Sequence, residues 1–119
     1  MYNKRQIGSK KEHIAAQYLQ EKGYHILDMN YQVRQGEIDI VAKKDEYLIF
    51  TEVKYRRNNA SGHALEAVTM AKQRQVCKTA LFYLNQKKLN PDDCAIRFDV
   101  IGITGSEITH IENAFSFIV

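Results

Sequence analysis

The chain lacks most features that would commit it to a special environment. No apolar run approaches the roughly 18 residues a membrane-spanning helix needs. The basic opening, MYNKRQIGSKKEH, is followed by no apolar segment of the kind a secretory signal carries. Its two cysteines, Cys77 and Cys94, are isolated, have no CxxC spacing, and read as reduced, inert thiols of a cytoplasmic protein. His13, His25, His63 and His110 are scattered, none at zinc-ligand spacing with a cysteine. Repeats and low-complexity tracts are absent, and Pro91 is the only proline. A net charge of +3 permits a polyanionic partner without arguing strongly for one, so the placement of charge matters more than its sum. With 119 residues, 45% hydrophobic and 26% charged, the chain is expected to form one domain, residues 1–119, around one core.

What is present centres on GEIDIVAKKDEYLIFTEVKYRR, from Gly36 to Arg57. Val33 to Lys43 and Tyr47 to Arg56 are rich in Ile, Val, Phe, Tyr and Thr, and Lys44-Asp45-Glu46 interrupts them, so the stretch reads as a β-hairpin. A turn about Asp45 and Glu46 sets Lys44 against Tyr47, and by extension Asp39 against Glu52 and Glu37 against Lys54. Opposed residues on one face have Cβ atoms about 4.5–5.5 Å apart. Side chains alternate along a strand, so Lys54 shares the face of Glu52. Asp-Glu is not the Asn-Gly or Asp-Gly pair that a two-residue hairpin favours. A four-residue loop about the same centre preserves the register, whereas a three- or five-residue loop sends Asp39 to the opposite face.

Elsewhere the periodicity predicts a helix over Ser9 to Lys22, with Ser9 and Glu12 as a capping box and Gly23 as its stop. Glu12 lies on the apolar stripe with Ala15, Ala16 and Leu19. It either completes the cap or points at the site made by the hairpin. Tyr24 to Tyr31 reads as a strand, with Gly36 hinging the turn that follows. Asn58 to Gly62 reads as a mobile loop and His63 to Val68 as a short helical turn. Thr69 caps a second helix running to about Gln86, with Lys72 on its inward face, as a snorkelling lysine or as a cation aimed at a phosphate. Ala95 to Ile103 is a strand, Gly105-Ser106 a turn, and Glu107 to Ile111 a last strand. The tail Ala114 to Val119 is apolar enough to cover either core or a partner. The order α-β-β-β-α-β-β is an α/β sandwich with a mostly antiparallel or mixed sheet.

Asp-x(n)-Glu-x-Lys is by itself a common pattern. Here the acids fall on apolar strands, where an unpaired carboxylate is costly. A buried salt bridge to Lys54 accounts for Glu52 or Glu37 but leaves Asp39 unexplained. Mg²⁺ or Mn²⁺, which take hard oxygen ligands, account for both acids. Around them cluster Arg34, Lys43, Lys44, Lys54, Arg56, Arg57, Lys72 and Arg74, either a solvated face or a track for a nucleic-acid backbone. No recognition helix, zinc finger or aromatic platform supports sequence-specific base reading.

GEIDIVA, FTEVKYRR, AVTMAKQRQ, RFDVIGITG and IENAF together resemble the bacterial YraN family, from about Gly8 to Phe117. That family is grouped with the PD-(D/E)XK, restriction-endonuclease-like nucleases, near the archaeal Holliday junction resolvases. The resemblance implies a restriction-endonuclease-like αβββαβ sandwich with a central mixed sheet. It places Asp39, Glu52 and Lys54 at the D…ExK positions, Glu12 at the acid of the first helix, and Lys72 at the lysine that opens the second. One departure is Lys11, where the family's G-x-x-G-E has its second glycine, which bears on how closely a substrate backbone approaches Glu12. The implied activity is a metal-dependent endonuclease acting on DNA, branched or structured DNA included. Asp39, Glu52 and the Val53 carbonyl would hold Mg²⁺ or Mn²⁺, and Lys54 would serve the attacking water. Arg34, Arg56, Arg57, Lys72 and Arg74 would contact nucleic acid. Two alternatives are a non-catalytic nucleic-acid- or protein-binding module on the same fold and a nuclease directed at RNA. Junction-cutting relatives imply a homodimer. Function lives in the site rather than the fold, so none of this follows from architecture alone.

Overall fold

Local turn chemistry sets most of the architecture. The computed structural model describes residues 3–56 and 68–117, with side chains from residue 10 on. Its elements are α1 (Asn3–Glu21), β1 (His25–Val33), β2 (Gly36–Lys44), β3 (Tyr47–Arg56), α2 (Met70–Gln86), a 3₁₀ turn at Pro91–Asp93, β4 (Ala95–Thr104) and β5 (Glu107–Phe115). Lys44 pairs with Tyr47, so Asp45-Glu46 does close a two-residue hairpin. Asp45 sits at φ +55°, a left-handed conformation that Asp tolerates better than most side chains. Gly105, at φ +60°, opens the turn between β4 and β5. Thr69 caps α2 as expected, its hydroxyl accepting the Lys72 backbone N–H at 3.2 Å.

The strands lie side by side in chain order, β1 to β5. Adjacent pairs are antiparallel except β3 and β4, which are parallel in register from Tyr47↔Ala95 to Arg56↔Thr104. Parallel neighbours need a long crossover, and α2 provides it. The result is a mixed five-stranded sheet between two helices, a restriction-endonuclease-like αβββαβ sandwich. Ala15, Ala16 and Leu19 of α1 cover Ile40, Ala42, Ile49, Ile101 and Ile103 on one side of the sheet. Val76, Cys77, Ala80, Tyr83 and Leu84 of α2 cover Ile38, Val41, Leu48, Phe50 and Phe98 on the other. Phe50, Phe98 and Phe115 stack in a row with centroids 5.7 and 5.0 Å apart, and Phe117 meets Phe98 edge-on. The apolar tail therefore covers core, as far as Phe117. Among the described residues no helix is long and apolar enough to cross a membrane.

Some boundaries differ from expectation. Helix α1 starts at Asn3, so Ser9 lies inside the helix rather than at its cap, and Glu12 is not a first-turn acid. Helical spacing continues upstream of Ser9, and a cap signal inside a continuous helix carries no weight. Strand β1 runs on to Val33, with the turn confined to Arg34 and Gln35, and β5 reaches Phe115 rather than Ile111. The loop expected over Asn58–Gly62 and the helical turn expected over His63–Val68 lie outside the described residues, except for Val68, which is buried.

Gly36 shows how tightly β2 lies on α2. A Cβ there would come within 2.8 Å of Gln75 Cγ and of Thr79 Oγ1. Thr79 is fully buried and its hydroxyl is held by the Gln75 carbonyl at 2.8 Å, so it has little room to yield. Gly36→Ala is expected to cost about 1–3 kcal/mol, the usual range for overpacking, measured by urea unfolding. A cost under about 0.5 kcal/mol would mean the helix moves freely off the strand.

Candidate metal and phosphate site

The β2–β3 ladder follows the expected register from Lys44↔Tyr47 to Ile40↔Thr51 and ends there, one pair short of Asp39 and Glu52. The directly opposed Asp39–Glu52 and Glu37–Lys54 pairs are therefore not formed. Continued pairing would hold two carboxylates about 5 Å apart on one face, one of them buried, with no charge between them. Instead the Asp39 carboxylate takes the place of the β2 backbone, its Oδ2 accepting the Val53 N–H at 2.8 Å. A residue's N–H and C=O leave an extended strand by the same edge. The Val53 carbonyl thus also faces the opened fork, as a metal ligand at that position would.

Glu52 has the same strand parity as Leu48 and Phe50, which places it on the α2 side. There Lys72 Nζ, from the first turn of α2, lies 3.5 Å from Glu52 Oε1 and 3.4 Å from Gln75 Oε1. Lys54 shares that face, and its charge also favours the ionised form of Glu52. Helix α1 brings Glu12 to Asp39 from the other side. Glu12, Asp39, Glu52, Lys54 and Lys72 thus converge where the two helices and the forked strands meet. Arg34 lies exposed in the β1–β2 turn, Arg74 is exposed on α2, and Arg56 is half-buried at the end of β3. Arg57 lies outside the described residues. Asn30, whose side chain favours the ionised form of Glu12, was not anticipated. Its only signal is an asparagine inside a strand, where that residue is depleted.

Electrostatically the acids are under-compensated. Burial, then the neighbouring Asp39, raises both Glu12 and Glu52 to about 7. Burial raises Asp39 too, against the pull of the Val53 N–H. Glu12 Oε1 and Glu52 Oε2 are buried without a hydrogen-bond partner. Orphaned carboxylate oxygens beside a free-edged carbonyl are the donor set a hard divalent cation uses. No three His, Cys, Asp or Glu side chains among the described residues are close enough to enclose a metal by themselves. A Mg²⁺ site does not require that, because two carboxylates with a carbonyl, water and substrate phosphate suffice.

Asp99 shows the opposite treatment of a buried acid. It is fully buried, yet Arg97 donates to both its oxygens at 2.9 and 2.8 Å, His110 Nε2 lies 2.7 Å away, and the Asn113 N–H donates at 3.0 Å. Burial works to raise its pKa, but His110, Arg97 and Asn113 together hold it below the ordinary value. One aspartate is satisfied and structural, whereas the Asp39 cluster is left short of positive charge.

A model of the uncharacterised protein family UPF0102 matches residues 11–103. A UPF0102 protein of Lachnoclostridium phytofermentans is 50% identical over 113 residues, covering 95% of this chain and 95% of its own. UPF0102 proteins of Vibrio parahaemolyticus and Vibrio campbellii are 47% and 44% identical, each covering 98% of this chain and 97% of their own.

These charges make a pH prediction with a definite sign. A carboxyl whose folded pKa is raised from 4.5 to about 7 binds its proton more tightly when folded. Its stabilising contribution is complete below pH 4.5 and is lost as pH rises through about 7. In chelator, stability should therefore fall between roughly pH 5 and 8, by up to about 1.4 kcal/mol per pH unit for each titrating group. Glu52→Gln should flatten that slope. At about pH 8, Asp39→Asn should stabilise, whereas Asp99→Ala should destabilise by about 3–5 kcal/mol by stranding Arg97. Urea titrations across pH provide the check.

Proposed function

The chain belongs to the UPF0102 family, and from the geometry of its carboxylates we propose that it is a metal-dependent nuclease hydrolysing phosphodiester bonds in DNA. The observation that carries this reading is the pair of unpartnered, buried carboxylate oxygens on Glu12 and Glu52, converging with Asp39 beside two lysines. Asp39, Glu52 and the Val53 carbonyl would hold Mg²⁺ or Mn²⁺. When bound, that cation supplies a water of lowered pKa and neutralises charge developing on the phosphate. Lys54 would orient the attacking water and Lys72 would meet a phosphate oxygen, as its short distance to Glu52 allows. Glu12, raised to about 7, is poised to exchange a proton with that water or to add a ligand. An open cavity of about 380 Å³, lined by Gln32, Val33, Gly36, Glu37, Lys72 and Gln75, gives a substrate strand room beside Lys72. Exposed Arg34 and Arg74, with Arg56, would contact the flanking backbone. Symmetric branched DNA, cut by a homodimer, is the substrate the resemblance favours.

Calorimetry should show Mg²⁺ or Mn²⁺ binding, alone or with a short duplex present, that Asp39→Ala removes. Asp39→Ala and Glu52→Ala should each lower cleavage of branched, single-stranded or duplex DNA by at least about a thousandfold, on the order of 4 kcal/mol of barrier. Both variants should remain folded. Nucleic-acid binding that weakens with salt but ignores the metal, with no cleavage, would replace this reading with the non-catalytic one.

A further inference from the structure

Residues two apart along a strand share a face, and at one place in this sheet two paired strands break that rule together. Met29 packs on the α1 side and Tyr31 on the α2 side. Their partners do the same, Ile40 with Met29 on the α1 side and Ile38 with Tyr31 on the α2 side. Between these two pairs stand only Asn30 and Asp39, which are missing from the ladder. Asn30 has φ +54°, a left-handed conformation inside a strand. That conformation brings an ordinary side chain too close to the following carbonyl, and asparagine is among the residues that accept it most readily.

We infer that Asn30 is a positioning residue of the candidate site. Its left-handed backbone switches the facing of β1 and β2 at the Asn30–Asp39 pair and frees Asp39 to reach Val53, while its carboxamide holds the Glu12 carboxyl beside Asp39. The geometry accounts for each part. With its flanking residues on opposite faces, Asp39 belongs to neither face by alternation, and its carboxylate turns toward β3 to accept the Val53 N–H at 2.8 Å. The Asn30 side chain favours the ionised form of Glu12, whose Oε1 is buried without a hydrogen-bond partner.

The same molecule repeats the device elsewhere. Asn113, at φ +53°, lies on β5 where the β4–β5 ladder shifts between Phe98 and Val100, and its N–H donates to Asp99 at 3.0 Å. In both places a left-handed asparagine accompanies a broken ladder and an aspartate that accepts a strand N–H. Asp99 is then filled in by Arg97 and His110, while Asp39 is left open beside Glu12.

Three full-length variants separate the backbone role from the side-chain role. Asn30→Gly keeps the left-handed backbone and removes the amide. Asn30→Asp keeps the backbone preference and replaces the donor with an acid. Asn30→Ala disfavours the conformation and also removes the amide. The first readout is amide hydrogen exchange at Val53 relative to Phe50, which sits in the intact ladder. Asn30→Ala should lower Val53 protection relative to Phe50 by about tenfold, and Asn30→Gly should restore it. Equal protection in wild type and Asn30→Ala overturns the backbone role. The second readout is Mn²⁺-dependent cleavage, and this half rests on the nuclease reading. Asn30→Gly and Asn30→Asp should each lose at least about tenfold in cleavage while Val53 stays protected. Unchanged cleavage in both overturns the side-chain role. A wild type that does not cleave overturns the nuclease reading, and Val53 protection still decides the role of the Asn30 backbone.

Discussion

Two buried carboxylates, Glu12 and Glu52, and the half-buried Asp39 meet at one corner of this fold with too few positive charges and hydrogen-bond donors to satisfy them, and much of the surrounding structure is arranged around that deficit. Burying an ionised carboxylate is costly unless it is paired, so a group left short of partners shifts its pKa or binds a cation. Glu12 and Glu52 are both raised to about 7, and each has a buried oxygen without a hydrogen-bond partner. The rest of the sheet is a conventional apolar sandwich, with the aromatic row through Phe50, Phe98 and Phe115 on one side and aliphatic contacts to α1 on the other. That rigid frame lets the strained corner persist, because the corner draws on stability made elsewhere.

Topology decides which charges reach the corner. A parallel β3–β4 pair requires a crossover, and that crossover returns α2 with its first turn over the end of β3, which delivers Lys72 to Glu52. Gly36 lets β2 lie close enough to α2 that Gln75 and Thr79 touch the strand. Asp99, which is fully buried, sits on the neighbouring strand directly beside Thr51, yet is fully satisfied. The same side-chain chemistry, one residue of register away from Glu52, serves structure in one place and leaves binding capacity in the other. What differs between them is the set of partners around each carboxylate.

The sequence by itself determined the order of elements, the β2–β3 register and the cap of α2. Each depends on neighbours a few residues apart: an Asp-Glu turn between alternating apolar runs, a threonine before a helical stripe, a Gly-Ser turn between strands. It also identified Asp39, Glu52 and Lys54 as charges out of place in apolar strands, because an unpaired acid there is costly wherever the strand goes. Other features lay beyond it. Local pattern put Ser9 at a helix cap, although the helix runs back to Asn3. Extrapolated register put Asp39 opposite Glu52, although the ladder ends at Ile40 and Thr51. Only the tertiary structure decided the fork, the face switch at Asn30, the approach of Glu12 from α1 and the satisfaction of Asp99 by Arg97 and His110. The physical reason is the same for all four. Pairing beyond a turn, and the partners available to a buried charge, depend on what distant segments bring to the same volume, and no local period in the chain encodes that.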